Sequence, residues 1–403
     1  MTIKKIEQMI STIIAICGIV ALIFLVWSSR TSFACISDFP EYYAPARLFI
    51  EGNGAASYVF NMLGQEEHKL FPHMQARVVL LFIPPQGLAL LSPIGWFSPL
   101  TAIIIWKTLL IACLVGGIVF LARTFRLGCR EICYLIAALS LSQACFEVLR
   151  IDQLAPILFL ALAAAIYLLS KDQDIAAGAF LSLMILKPQQ ILPLLAYLAG
   201  MRRWRPLLVF LGAFVFLSIL AYVGIGAAGF KNYFDLMRAP ESAIFMQPEL
   251  NPTIRGQCLR FFPGANGAIL VIAAIVYAIV IGLSYFWGRQ NKNMPQGILW
   301  GILVVMPLGL LTSLHCHSYD LLLLVPTIMI IFTDAVFTFN PAFKLLLILG
   351  GIVFMLPLSV MIHHDYLLKG GQINIWFIEL LILCLVIIQQ VVFKKSSLSA
   401  NKN

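Results

Sequence analysis

Charge is what this chain has least of: Asp, Glu, Lys and Arg together make up 11% of its 403 residues. A soluble domain is about a quarter charged, so the deficit excludes an ordinary cytosolic enzyme, a disordered chain and a nucleic-acid reader. Nucleotide and hydrolase motifs are missing too. There is no Walker loop, no Gly-x-Gly-x-x-Gly, no His-Glu-x-x-His and no Gly-x-Ser-x-Gly, and Gly52-Asn53-Gly54 is turn chemistry only. The nine cysteines are odd in number and lie mostly in apolar runs, without the paired spacing of a disulfide framework or a zinc site. The absence of an internal repeat disfavours a transporter built from duplicated halves.

What the chain does have is apolar surface: 61% of its residues are hydrophobic and its mean hydropathy is +0.95. At roughly 20 residues per crossing this supplies on the order of ten to twelve spans. The reading is therefore an all-α polytopic membrane protein of about twelve transmembrane or half-spanning helices, forming a single membrane domain over residues 1–403. The net charge of +9 becomes first a topological signal, because Lys and Arg in short loops set orientation. Lys4 and Lys5 precede a run over 10–27 that has no small-residue cleavage site, which reads as a retained first span. A polar stretch over 30–83 follows, the first extracytoplasmic loop with its juxtamembrane helices. The proline-bounded segment 84–99 is too short to cross and is assigned to the outer interface.

Further spans are predicted over 100–122, 132–146 and 154–169, then 207–225, 267–287, 297–311, 321–336, 345–361 and 373–392. Segment 175–198 has cytoplasmic-looking ends, Lys171 and Arg202-Arg203-Trp204-Arg205, with Lys187-Pro188 at its centre. Proline ends helices, so the segment is expected to turn there as two short helices with Lys187 at the outer tip. A second long outer loop covers 227–266. Both termini are then cytoplasmic, and all six histidines fall on the outer side, which marks that face as the chemically equipped one.

Several groups there could carry chemistry. Asp38, in Ser37-Asp38-Phe39-Pro40-Glu41-Tyr42-Tyr43, is suited to take a proton from a substrate hydroxyl; the alternative is an acid that caps a helix or meets water. Lys187 lies in an apolar stretch, where a cation costs roughly 2.5 to 3.5 kcal/mol at a helix centre, so an anionic headgroup is its expected partner unless it snorkels to the interface. His315, Cys316, His317, Tyr319 and Asp320, and separately His363-His364-Asp365, gather metal-ligand residue types without metal-ligand spacing. No metal site is assigned, and a phosphate or sugar contact from His317 is preferred. In the second outer loop, Asn251, Arg255 and Arg260 are either substrate contacts or ordinary loop residues.

In order and spacing these stretches resemble glycosyltransferase family 87, among the C-type integral-membrane glycosyltransferases that use polyprenyl-phosphate sugars. The pieces that carry the resemblance are Asp38 with Tyr42-Tyr43-Ala44, Gly52 to Tyr58, Pro84-Pro85 with Pro93 and Trp106, and Asp152-Gln153 with Pro156. Gly178, Lys187-Pro188-Gln189, Arg202 to Arg205, Asn251 to Gly256, and Ser313 through His317 to Tyr319-Asp320 complete the series. The resemblance implies Asp38 as general base and Lys187 and His317 at the donor phosphate, with Arg255 and Arg260 as further cations. Tyr42, Tyr43, Asp152, Gln153, Gln189, Asn251, His315 and Tyr319 are the expected substrate contacts. Two positions depart from the family pattern: Asp152 stands where Gly is usual, and Leu314 follows Ser313 where Pro is usual.

The implied activity is inverting transfer of a hexose, mannose being the expected one, from a polyprenyl-phosphate donor to a lipid-linked or envelope glycan. It would take place on the extracytoplasmic face of a plasma or inner membrane. The implied partners are that donor, the acceptor and membrane lipids, with no nucleic acid. No cofactor is expected, and metal dependence stays open. Two other classes fit parts of the pattern: a polyprenyl-linked glycan transporter or flippase, and a glycan ligase.

Overall fold

The computed structural model describes residues 9, 12–13, 15–20, 37–72, 79–238, 247–294, 296–353 and 370–400. The chain is all α-helix and 3-10 turn over these residues, as its apolar runs require. Four described helices are long and apolar enough to cross a membrane: α4 (Pro99–Phe125), α10 (Trp204–Arg238), α12 (Asn266–Asn291) and the Ile375–Val392 part of α16 (Ile375–Ala400). Shorter apolar helices cover Ala155–Leu169, Asp174–Leu186, Gly297–Thr312, Ser318–Phe332 and Pro341–Gly350.

Four full-length candidates among the described residues are fewer than the dozen or so expected from apolar length alone. The reason lies in the chain's punctuation. The 132–146 run divides into α5 (Cys129–Leu141) and α6 (Gln143–Ile151), because the Ser142 hydroxyl accepts from the Cys145 amide and starts a new helix. The 175–198 run breaks at Lys187-Pro188: α8 (Asp174–Ser182) tightens into a 3-10 turn, and α9 (Leu192–Gly200) begins beyond the proline. Most of the 10–27 run and the end of the 345–361 run lie outside the described residues.

Contacts group the helices into two units. The first comprises Met1–Leu168, Gln173–Pro188 and Leu208–Phe245. In it α1 (Phe39–Ile50) buries Phe39, Tyr42 and Tyr43. Phe39 and Tyr43 stack with ring centroids 5.5 Å apart, and Tyr42 lies 5.3 Å from Trp106 of α4. Two shorter helices follow, α2 (Phe60–Leu70) and α3 (Pro85–Leu91). Ser98 and Pro99 start α4, which ends at Arg126 in the left-handed conformation. α7 (Ala155–Leu169) follows α6 after a turn at Asp152. α10 breaks at Gly226, whose φ of 62° suits a residue without a Cβ.

The second unit comprises Leu169–Asp172, Gln189–Leu207 and Met246–Asn403. Its core is α9 laid against α12 at backbone distance. A methyl on Gly200 would sit 2.0 Å from the Tyr285 carbonyl oxygen, and one on Gly288 would sit 2.1 Å from that of Tyr197. Such small-residue contacts are how helices gain dispersion contact in lipid, where burial of apolar surface from water is no driving force. The Tyr197 hydroxyl donates to the Gly297 carbonyl at the start of α13 (Gly297–Thr312), and Asn291 donates to that hydroxyl. Thr327 of α14 (Val325–Phe332) donates to Ile302. α11 (Ile254–Phe261) and α15 (Pro341–Val353) complete the unit with α16.

Candidate active site

In the first unit the turn 151–153 braces the chain that enters α1. The Asp38 amide donates to the Ile151 carbonyl at 2.8 Å. The Gln153 side-chain amide donates to Asp38 Oδ2 at 2.6 Å, and the Tyr42 hydroxyl donates to Gln153 Oε1 at 2.8 Å. Asp38 immediately precedes α1, yet its side chain makes no capping bond. Its carboxylate is engaged instead by a residue 115 positions away. Gln153 and Asp152 are buried, and Asp38 is partly exposed.

Two more carboxylates share this surrounding. Glu41 is three residues into the helix from Asp38, hence on the same face. Burial, and next the negative charge of Asp38, push its carboxyl well above the usual range, while Lys187 and the Phe82 amide pull the other way. Glu67 of α2 accepts from the Val79 amide at 3.1 Å. Burial carries its carboxyl up to about 8, with Asp38 adding to the rise. Glu67, pushed toward its protonated form by burial, and Asp38, held by Gln153, are two carboxylates in different surroundings, the kind of difference that separates an acid from a base. Lys187 sits at the break between the two 3-10 turns and is partly buried.

Asp152 is the polar centre of the turn. Lys107 donates to its Oδ1 at 2.6 Å, Ser37 to its Oδ2 at 2.6 Å, and Trp106 Nε1 to its carbonyl at 2.9 Å. Tyr43, by contrast, is core: its hydroxyl donates to the Phe97 carbonyl and its ring packs on Phe39 and Phe71.

The second unit holds the other candidates. The His315 and His317 rings meet edge to face at 4.6 Å, and His317 stacks on Tyr319 at 5.0 Å. The His317 amide donates to Asp320, which fixes the start of the 3-10 turn Ser318–Leu324. Arg255 of α11 donates to the Leu314 carbonyl at 2.8 Å, just before the ring stack, and burial draws its guanidinium below its ordinary range. Asn251 is fully buried; its Oδ1 accepts from the Thr253 amide and its carbonyl from Asn374. Arg260 donates to the Gln372 carbonyl. The Gln189 carbonyl accepts from the Tyr277 hydroxyl. Thus Asp38, Tyr42, Asp152, Gln153 and Lys187 belong to the first unit, and His315, His317, Tyr319, Arg255, Asn251, Arg260 and Gln189 to the second. His363-His364-Asp365 lie outside the described residues. Among the described residues no three His, Cys, Asp or Glu side chains gather as metal ligands would.

Sequence reasoning passed over Glu41, Glu67 and Lys107. Glu41 was recoverable from its helical spacing to Asp38. Lys107 carries the signal that singled out Lys187, a lone cation inside an apolar run. Glu67 gave no signal, because its burial and its bond from the Val79 amide arise only in the folded chain.

Comparison with known proteins identifies a family. No curated protein and no solved structure gives a significant match to the chain. The family model of glycosyltransferase family 87 matches residues 82–314, more than half of the chain. That stretch includes Lys107, Asp152, Gln153, Lys187 and Arg255. This membrane-embedded chain, with its engaged carboxylate and partly buried cations, belongs to glycosyltransferase family 87.

Proposed function

We propose that the protein is an inverting glycosyltransferase that moves a hexose, mannose first among candidates, from a polyprenyl-phosphate donor to a lipid-linked or envelope glycan. The site faces the extracytoplasmic side of the membrane, with both termini cytoplasmic. The observation that carries the reading is Asp38, whose carboxylate leaves the helix cap and takes a hydrogen bond from Gln153. A carboxylate held in orientation and still open to solvent on one side can accept the acceptor hydroxyl's proton as that oxygen attacks the anomeric carbon.

The bond that breaks joins the anomeric carbon to the lipid phosphate, which leaves with an added negative charge. Fixed cations stabilise that charge more in the transition state than in the ground state. Lys187, His317 and Arg255 are assigned this work, with Arg260 further along the same helix. Tyr42, Gln153, Gln189, Asn251, His315 and Tyr319 are assigned to holding sugar and acceptor. The prenyl chain stays in the bilayer.

The test is a transfer assay with the full-length protein in lipid nanodiscs, using polyprenyl-phosphate mannose and a lipid-linked mannoside. Asp38→Asn is expected to lower turnover by about 10²- to 10⁴-fold with the fold retained. Lys187→Ala is expected to act mainly on donor use. Unchanged turnover in Asp38→Asn would remove the base and favour a transporter, which needs none.

A further inference from the structure

The turn that supplies Gln153 is held by a group the reaction itself does not need. Asp152 ends α6 with φ 62° and ψ 36°, in the left-handed region that residues other than glycine rarely adopt. Aspartate is among the few that visit it, because its short side chain can be held by hydrogen bonds. Here both carboxylate oxygens are taken, Oδ1 by Lys107 and Oδ2 by Ser37, and the backbone carbonyl is taken by Trp106. The side chain is 1% exposed and that of Lys107 is 17% exposed. Lys107 comes from inside the long apolar helix α4, where a cation is costly. A buried ion pair is poor evidence for stability, since apolar residues of similar volume often serve as well or better. What the pair adds is direction, because a planar carboxylate gripped on both oxygens cannot rotate. The peptide that carries it also carries Gln153.

We propose that Lys107 and Asp152 are positioning residues. Their ion pair locks the 151–153 turn so that the Gln153 amide donates to Asp38 and sets the rotation of that carboxylate. The proposal rests on the reading of Asp38 as the base for its functional meaning, but the geometric claim stands apart from it. Four bonds join the turn to the start of α1: Asp38 N–H to Ile151, Ser37 to Asp152, Gln153 to Asp38, and Tyr42 to Gln153. Two bonds from α4 then fix the turn itself. Loosening α4's grip on Asp152 therefore reaches Asp38 without touching it.

The experiment is an infrared pH titration of full-length protein in nanodiscs, with carboxyl-¹³C aspartate, the Asp38 band being identified by its loss in Asp38→Asn. A carboxylate that loses a donated hydrogen bond binds its proton more tightly. The midpoint of the Asp38 band is expected to rise by about one pH unit in Lys107→Met. Because an unpaired Asp152 could unfold that variant, Lys107→Met/Asp152→Gly is measured with it. Glycine keeps the left-handed backbone without strain, and no buried charge remains. The same rise in the double variant supports the clamp. A midpoint unmoved in the double variant overturns it, since the turn alone would then hold Gln153. In the transfer assay the double variant should lose about tenfold in kcat, with donor KM within about twofold. Retained turnover in Asp38→Asn together with a shifted band would remove the base and leave the clamp standing.

Discussion

The two units carry their polar residues in opposite ways. In the first, the candidate groups are mainly acidic and wired to one another: Asp38 to Gln153, Gln153 to Tyr42, Asp152 to Lys107 and Ser37. In the second they are basic or aromatic and tied mainly to backbone carbonyls: Arg255 to Leu314, Arg260 to Gln372, with the His315, His317 and Tyr319 rings stacked. A carboxylate network sets protonation states, whereas cations tethered to carbonyls keep their charge for an anion. The difference teaches that polar side chains bond mainly to one another in the first unit and mainly to backbone carbonyls in the second.

The largest effect that would test this contrast concerns Glu67. Its carboxyl rises from 4.5 to about 8 on burial. Below about pH 4.5 both folded and unfolded chains hold the proton and nothing is lost. As pH rises toward 8 the unfolded chain releases it while the folded one does not, so stability falls, by at most about 5 kcal/mol. Glu67→Gln keeps an acceptor for Val79 and removes this dependence. Its melting temperature in detergent should exceed that of the parent by a margin that grows between pH 5 and 8. A constant margin would mean that Glu67 does not hold a proton, and the acidic side of the comparison would lose its split states.

Arg255→Met comes next. If Arg255 offsets the charge on the leaving phosphate, kcat falls about tenfold, about 1.4 kcal/mol, with donor KM within about threefold. A rise in donor KM at unchanged kcat would instead make Arg255 a ground-state contact to the donor. The smallest effect is expected at Lys344, which bonds Asp334 at 2.6 Å with both side chains partly exposed. Lys344→Ala should cost about 1 kcal/mol or less in denaturation, and transfer should not change. A larger loss would make this half-exposed pair resemble the buried Lys107–Asp152 pair.

Much of the architecture was legible because it is local. Apolar length predicts α4, α10, α12 and α16, and Lys187-Pro188 marks a helix break that is present. The span count failed where punctuation inside apolar runs, such as Ser142, divides one run into two helices. Of the candidate site, Asp38 is singled out by its residue type and surroundings, and Lys187 by its cost in an apolar run. Lys107 carries the same signal, but its partner Asp152 is 45 residues away and only the fold brings the two together.

The sequence by itself determined that this chain lives in a bilayer, where its long apolar helices and the break at Lys187-Pro188 lie, and which family it joins. Those properties follow from hydropathy, proline and residue order, which act over a few turns of chain. The tertiary structure alone decided that Asp38 meets Gln153 rather than its own helix, that Glu67 is buried, and that Lys107 grips Asp152. Each of these turns on desolvation and on partners brought from distant positions, and neither is a property of any single stretch of sequence.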